Sequence, residues 1–220
     1  MGQIQPAAPF GAPRSANSNR QILIMRTLRR LCVASLVALT LSSPAARAAS
    51  AIPDHYKALY FDAARAGRTD LLGGMIDDGA SVDERDSHGY TALIIAAYDG
   101  QPQTVEYLMG RGADPCAADL KGNTALMGVA FKGQLTIAER LVTRCDVNTR
   151  NREGQTAVMM AALFGHADIV RLLATHGANL ALTDASGNSA GSVAHQQGNA
   201  GMEALLAQLQ AGAPASRPRP

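Results

Sequence analysis

The chain has 220 residues, of which 47% are apolar and 17% charged, enough to build one globular unit with a real core and too apolar for an intrinsically disordered chain. Its formal charge of +2 is carried by one end: residues 1–48 hold six Arg and no acid, while the remainder holds 14 Lys and Arg against 18 Asp and Glu, a balance of −4. A phosphate backbone wants clustered cations, and none are grouped beyond residue 48, so no nucleic-acid partner is expected. Aromatic residues are 4% and Trp is absent, so the core must be made of Ala, Leu, Ile, Val and Met.

Residues 1–24 are rich in Pro, Ala, Ser and Asn and show no periodicity; they read as low complexity, and Met25 is an alternative start. Residues 25–48 read as a secretory signal. Arg26, Arg29 and Arg30 precede the apolar run Leu31–Leu41, which at 11 residues is too short to span a bilayer needing about 20. Ala46-Arg47-Ala48 then places small residues where a signal peptidase inspects them, so cleavage is expected near Ala48. Cys32 lies at the start of the apolar run and is not placed for lipid attachment. The expected location is the periplasm, with membrane contact only during export.

From Asp54 onward the chain repeats itself. Gly89, Gly122, Gly154 and Gly187 recur at spacings of 33, 32 and 33. Gly67, Gly100, Gly133, Gly165 and Gly198 recur with them. Between the two series the same text returns: DSHGYTALIIAAYDG from Asp86, DLKGNTALMGVAFKG from Asp119, NREGQTAVMMAALFG from Asn151 and DASGNSAGSVAHQQG from Asp184. A degenerate copy begins at Asp54, and the third copy lacks one residue near Cys145. The frame is residues 54–85, 86–118, 119–150, 151–183 and 184–212, with residues 213–220 a Pro-rich tail expected to be disordered.

Each unit predicts two helices. The first glycine permits a tight turn at positive φ. Thr91, Thr124, Thr156 and Ser189 follow it at a helix start, where a hydroxyl accepts an orphan amide. The first helix has a small apolar face, as in Ala92, Ala96 and Ala97; the second brings larger residues, as in Ile169, Val170, Leu172 and Leu173. Gly79, Gly112 and Gly177 close the second helix in a left-handed conformation. A single unit cannot bury its apolar face, so stacked units form an all-α solenoid. Polar outer faces at the two ends are supplied by Asp62, Arg65, Arg68, Asp77 and Asp78, and by Gln196, Gln197, Asn199, Gln208 and Gln210.

The Thr-Ala-Leu text, the Ala-Ala pair, the Gly after it, the Leu-rich second helix and the closing Gly-Ala resemble the ankyrin-repeat family over about Asp54 to Gln210. The family's Thr-Pro-Leu-His is Thr-Ala-Leu-Ile at Thr91 and Thr-Ala-Leu-Met at Thr124, and its second-helix His survives only as His166. The resemblance implies an ankyrin-repeat solenoid of about five helix-turn-helix repeats of 32–33 residues, and a non-catalytic module that holds another protein.

No catalytic or metal set is evident. His55, His88, His166, His176 and His195 show no metal-ligand spacing, and the glycines follow the repeat rather than a phosphate loop. Catalytic, cofactor and metal residues are therefore all expected to be none. His166 reads as a loop-to-helix hydrogen bond and His176 as a helix C-terminal group. Asp86, Asp119 and Asp184 each stand three residues before a turn glycine and read as ties to loop amides rather than calcium ligands. Cys116 and Cys145 fall in adjacent repeats, at a loop and a helix end. An oxidising compartment permits a bond, but the separation reads as long, and free thiols are expected.

The resemblance places the partner-binding face on the loop tips and first helices: Tyr90, Tyr98, Asp99, Asn123, Phe131, Lys132, Gln155, Phe164 and Asn188. Four of these are aromatic in an aromatic-poor chain, and aromatics are favoured anchors. Phe61 and Tyr107 read as packing residues. The layout also resembles small exported bacterial ankyrin-like proteins associated with catalase, which implies a monomer that supports catalase activity and resistance to hydrogen peroxide. The alternative is an immunity or inhibitor protein that binds a secreted enzyme.

Overall fold

The structure is a computed structural model that describes residues 54–212. The signal, the cleavage site, Met25 and the tail from residue 213 lie outside the described residues. Among the described residues there are ten α-helices and no strands, arranged as five helix pairs. They are α1 (Asp54–Arg65) with α2 (Thr69–Asp77), α3 (Ala92–Tyr98) with α4 (Pro102–Gly110), α5 (Ala125–Lys132) with α6 (Leu135–Leu141), α7 (Ala157–Leu163) with α8 (Ala167–Thr175), and α9 (Ala190–Gln196) with α10 (Ala200–Gly212). None is long and apolar enough to cross a membrane.

The first helices stack in sequence, α1 on α3 on α5 on α7 on α9, and the second helices form a looser outer layer. Small residues make the inner layer close: Ala92, Ala96, Ala97, Ala125, Ala130, Ala157, Ala161 and Ala162 are all buried. Between the layers lie Leu72, Leu108, Ile137, Leu141, Ile169, Leu173 and Leu206, also buried. Burying such a side chain removes it from water at a gain of about 1.5–3 kcal/mol, and here every interface supplies the water-excluding partner for the next. Phe61 is core, and Tyr107 packs against it half-buried, as expected. Tyr60 is fully buried; its hydroxyl donates to the carbonyls of Ser81 and Val82, and burial raises its pKa.

The helix starts follow the expected chemistry at three of four places. The hydroxyls of Thr91, Thr124 and Ser189 accept from the amides of Ile94, Met127 and Ser192 at 3.3 Å. Thr156 departs from this. Its backbone φ is −114°, against −87° and −94° at Thr91 and Thr124, and its buried hydroxyl has no partner among the described residues.

Loops tie repeat to repeat. The carboxylate of Asp86 accepts from the amides of His88 and Tyr90, that of Asp119 from Lys121 and Asn123, and that of Asp184 from Ser186 and Asn188. Asn151 does the same with its amide oxygen for Glu153 and Gln155. The tips then stack: Leu120 donates to His88, Arg152 to Lys121 and Ala185 to Glu153, at 2.8–3.0 Å. His166 places its ring on the preceding repeat, Nε2 3.1 Å from the Phe131 carbonyl. His176 Nδ1 lies 2.9 Å from the Leu172 carbonyl at its own helix end.

The expectation of free thiols is overturned. Cys116 and Cys145 form a disulfide, with Cα atoms 5.5 Å apart. The repeat register accounts for the pairing. Leu108-Met109-Gly110-Arg111-Gly112-Ala113 corresponds to Leu141-Val142-Thr143-Arg144-Cys145, so the lost residue is the capping glycine and Cys145 stands in the Ala113 position. At the neighbouring junctions the residue in the Cys116 position, Asp83 or Asn148, accepts from the amide just after that Ala position, Asp114 or Asn179, so the two positions face each other with or without the lost glycine.

Candidate functional site

The first helices and loop tips of the second to fourth repeats enclose an open groove of about 550 Å³. Six of the nine expected face residues line it: Tyr90, Tyr98, Asp99, Asn123, Phe131 and Gln155. Two more attach through their neighbours. Lys132 sets its ammonium 5.0 Å from the centre of the Tyr98 ring, and Phe164 packs its ring 4.3 Å from that of Phe131. Asn188 is not part of the groove.

The aromatic side chains form a row. Tyr98 and Phe131 are stacked at 6.0 Å, and Phe164 tilts against Phe131. Tyr98 and Phe131 share one repeat position at the end of α3 and α5. In the next repeat that position is Leu163, and the aromatic falls one residue later as Phe164. Tyr98 is 39% exposed and Phe164 47%, so both keep much of their apolar area in water. Tyr90 is half-buried, stacks on His88 at 5.7 Å, and has its hydroxyl pKa raised by burial and by the negative charge of Asp119.

Three expected face residues spend their side chains on the scaffold. Asn123 donates to Asp119 and accepts from Asn151; Gln155 accepts from Asn151; Asn188 donates to Asp184 and accepts from Gln196. Asn123 and Gln155 thereby brace the loop end of the groove. Asp99 pairs with Arg65 at 3.6 Å, which brings the first repeat to one end of the groove. Lys121 and Glu153 mark the loop end with opposite charges.

The floor was not anticipated from sequence. It consists of Ile94, Ile95, Met127, Gly128 and Met160. Ile95, Gly128, Met160 and Val193 hold the same position in successive repeats, so the groove opens where one repeat has no side chain. A Cβ on Gly128 would stand 3.4 Å from Cδ2 of Tyr98, in contact with the row. Mid-helix glycine costs roughly 0.5–1 kcal/mol relative to Ala, a cost borne here in the lining of the groove. A glycine at a repeat position otherwise held by Ile95, Met160 and Val193 is the signal that reveals it.

Among the described residues no three His, Cys, Asp or Glu are grouped to hold a metal ion. The loop carboxylates are already engaged by backbone amides. What the groove offers is apolar area, a cation over a ring and a mixed polar rim, which suits recognition.

A family model described as Ankyrin repeats (3 copies) matches residues 33–119 and again 126–214. Among curated proteins, an ankyrin repeat-containing protein of Treponema pallidum (strain Nichols) is 36% identical over 128 residues, covering 56% of this chain and 42% of that protein. The mitochondrial disaggregase of Bos taurus is 33% identical over 133 residues, covering 58% and 19%. The NF-kappa-B inhibitor cactus of Drosophila melanogaster is 32% identical over 103 residues, covering 46% and 20%. The chain thus matches less than half the length of each of these relatives. Proteins built from such repeats are generally interaction modules rather than enzymes.

Proposed function

This chain belongs to the ankyrin-repeat family, and we propose that it is an exported, periplasmic, monomeric module whose groove holds another protein without doing chemistry on it. The observation that carries this reading is the groove itself: Tyr98, Phe131 and Phe164 in a row above a floor opened by Gly128. Rigid aromatic side chains give up large area on contact for little conformational entropy. The Cys116–Cys145 bond supports an oxidising compartment, and so does the secretory reading of residues 25–48.

Within that reading the finer role is support of catalase activity and resistance to hydrogen peroxide, with catalase as the bound protein. A second role is inhibition of a secreted enzyme, which the likeness to a protein named as an NF-kappa-B inhibitor favours. Affinity capture from a periplasmic extract, with the purified chain as bait and the Tyr98→Ala/Phe131→Ala double variant as control, separates them. The first role predicts catalase retained by the native chain and lost from the variant, together with reduced peroxide survival of a deletion strain. The second predicts a different secreted enzyme, inhibited on binding. Equal capture by both baits removes the groove from the account.

A further inference from the structure

Four junctions join the five repeats, and three of them are bridged after the second helix in a comparable place. At the first, the Asp83 carboxylate accepts from the Asp114 amide at 3.0 Å. At the third, Asn148 accepts from the Asn179 amide at 2.7 Å and donates to the Gly177 carbonyl at 3.0 Å. Asp83, Cys116 and Asn148 all stand three residues before the loop Asp or Asn, so they are one repeat position. At the second junction that position is Cys116, and the bridge is the covalent bond to Cys145. A polar staple has been replaced by one whose existence depends on redox state.

The second junction is also the one that shapes the groove. Tyr98 stands on one side of it and Phe131 and Gly128 on the other. Resting on the binding role given to that groove, we propose that the Cys116–Cys145 bond is a redox clamp: oxidised, it holds the second repeat against the third in the binding geometry; reduced, it frees that junction. Cys116 is exposed and Cys145 half-buried, so an external thiolate reaches Cys116 first. The reductant is a dithiol. Its thiolate attacks Cys116 Sγ, forms a mixed disulfide and expels the Cys145 thiolate. Its second thiol then closes on the first sulfur and releases the Cys116 thiolate. The dithiol leaves as a cyclic disulfide, and the two electrons it gives up reside on the two cysteine sulfurs. The reduced junction loses its covalent bridge and has no capping glycine, and it keeps the Glu106–Arg140 ion pair and the Tyr98–Phe131 stack. In a solenoid, where each repeat touches only its neighbours, the loosening stays local.

Hydrogen exchange on the purified protein tests this without any partner, so its failure leaves the binding reading standing and loss of the binding reading leaves it unaffected. The oxidised protein and protein reduced by dithiothreitol in native buffer, with a gain of two titratable thiols per chain on reduction, are compared. Amide exchange over Lys121–Lys132 should accelerate by at least about tenfold, with Ala200–Gly212 changing by less than about twofold. A Cys116→Asn/Cys145→Ala variant, which puts the Asn of the third junction at this position and removes both thiols, should show no response to dithiothreitol. No acceleration on reduction, acceleration spread evenly over all five repeats, or a reductant response in the variant would each overturn the clamp.

Discussion

Replacing Gly133 by Ala probes the joint between inner helix and neighbouring repeat more selectively than any core truncation. Gly133 ends α5 at φ +77°, a left-handed conformation that costs an L-residue roughly 1–2 kcal/mol. Its would-be Cβ also falls 2.7 Å from Cε1 and 2.8 Å from Nδ1 of His166, so the ring must move. Moving it breaks the hydrogen bond to the Phe131 carbonyl, a further net loss of about 0.5–1.5 kcal/mol. Gly133→Ala should therefore cost about 2–3 kcal/mol. Gly177 supplies the control. It has φ +86° but nothing within 4 Å of its would-be Cβ, so Gly177→Ala should carry the backbone strain alone. Urea unfolding followed by circular dichroism gives both values. Repeating the pair in a His166→Ala background should close the gap, since the ring is already gone. If Gly133→Ala remains about 1 kcal/mol worse than Gly177→Ala without His166, the imidazole is not what couples these repeats.

Other expectations follow from the same geometry. The disulfide closes a loop across a sequence separation of 29, and chain entropy then gives about 3.5 kcal/mol, so reduction or Cys116→Ser/Cys145→Ser should lower the unfolding free energy by up to that amount in paired urea titrations. Gly128→Ala should stabilise the array by about 0.5–1 kcal/mol through helix propensity while narrowing the groove, so partner affinity should fall as stability rises; a rise in both would show that the floor is not part of the contact. The Asp184 carboxylate is held below its ordinary pKa, chiefly by the Asn188 amide, and Asp70 is pulled down to about 2 by its hydrogen bond from Arg68. A depressed folded pKa means stability that is complete at neutral pH, declines once the pH falls through the ordinary carboxylate range, and is gone below the folded value. Asp184→Asn, which copies Asn151, should keep stability at pH 7 and flatten its fall in acid; parallel pH curves for variant and native protein would contradict this.

The repeat array was legible because its physics is periodic. Turn glycines, hydroxyl caps and alternating small and large helix faces recur every 32 or 33 residues, and repetition averages out local exceptions. The exceptions are what the sequence concealed. Cys116 and Cys145 were visible in adjacent repeats, but that their two repeat positions face each other across a junction is a three-dimensional fact. Thr156 carries the right residue for a cap and fails to make it, because a backbone turn of some degrees is not written in residue type. On the groove, Tyr98 and Phe131 were marked by being aromatic at a variable position. Asn123, Gln155 and Asn188 looked alike in sequence, yet their amides are consumed by the loop network. Gly128 went unnoticed because the absence of a side chain carries no chemical signal except by comparison along the repeats.

The most direct test of the account is the affinity of the captured partner for native protein and for the folded Tyr98→Ala/Phe131→Ala variant, measured by titration calorimetry. Loss of two central aromatic anchors should cost about 3–4 kcal/mol, a drop in affinity of about 150- to 700-fold, with the circular dichroism spectrum unchanged. An unchanged affinity in a variant that remains folded would mean that the partner is held elsewhere on the array.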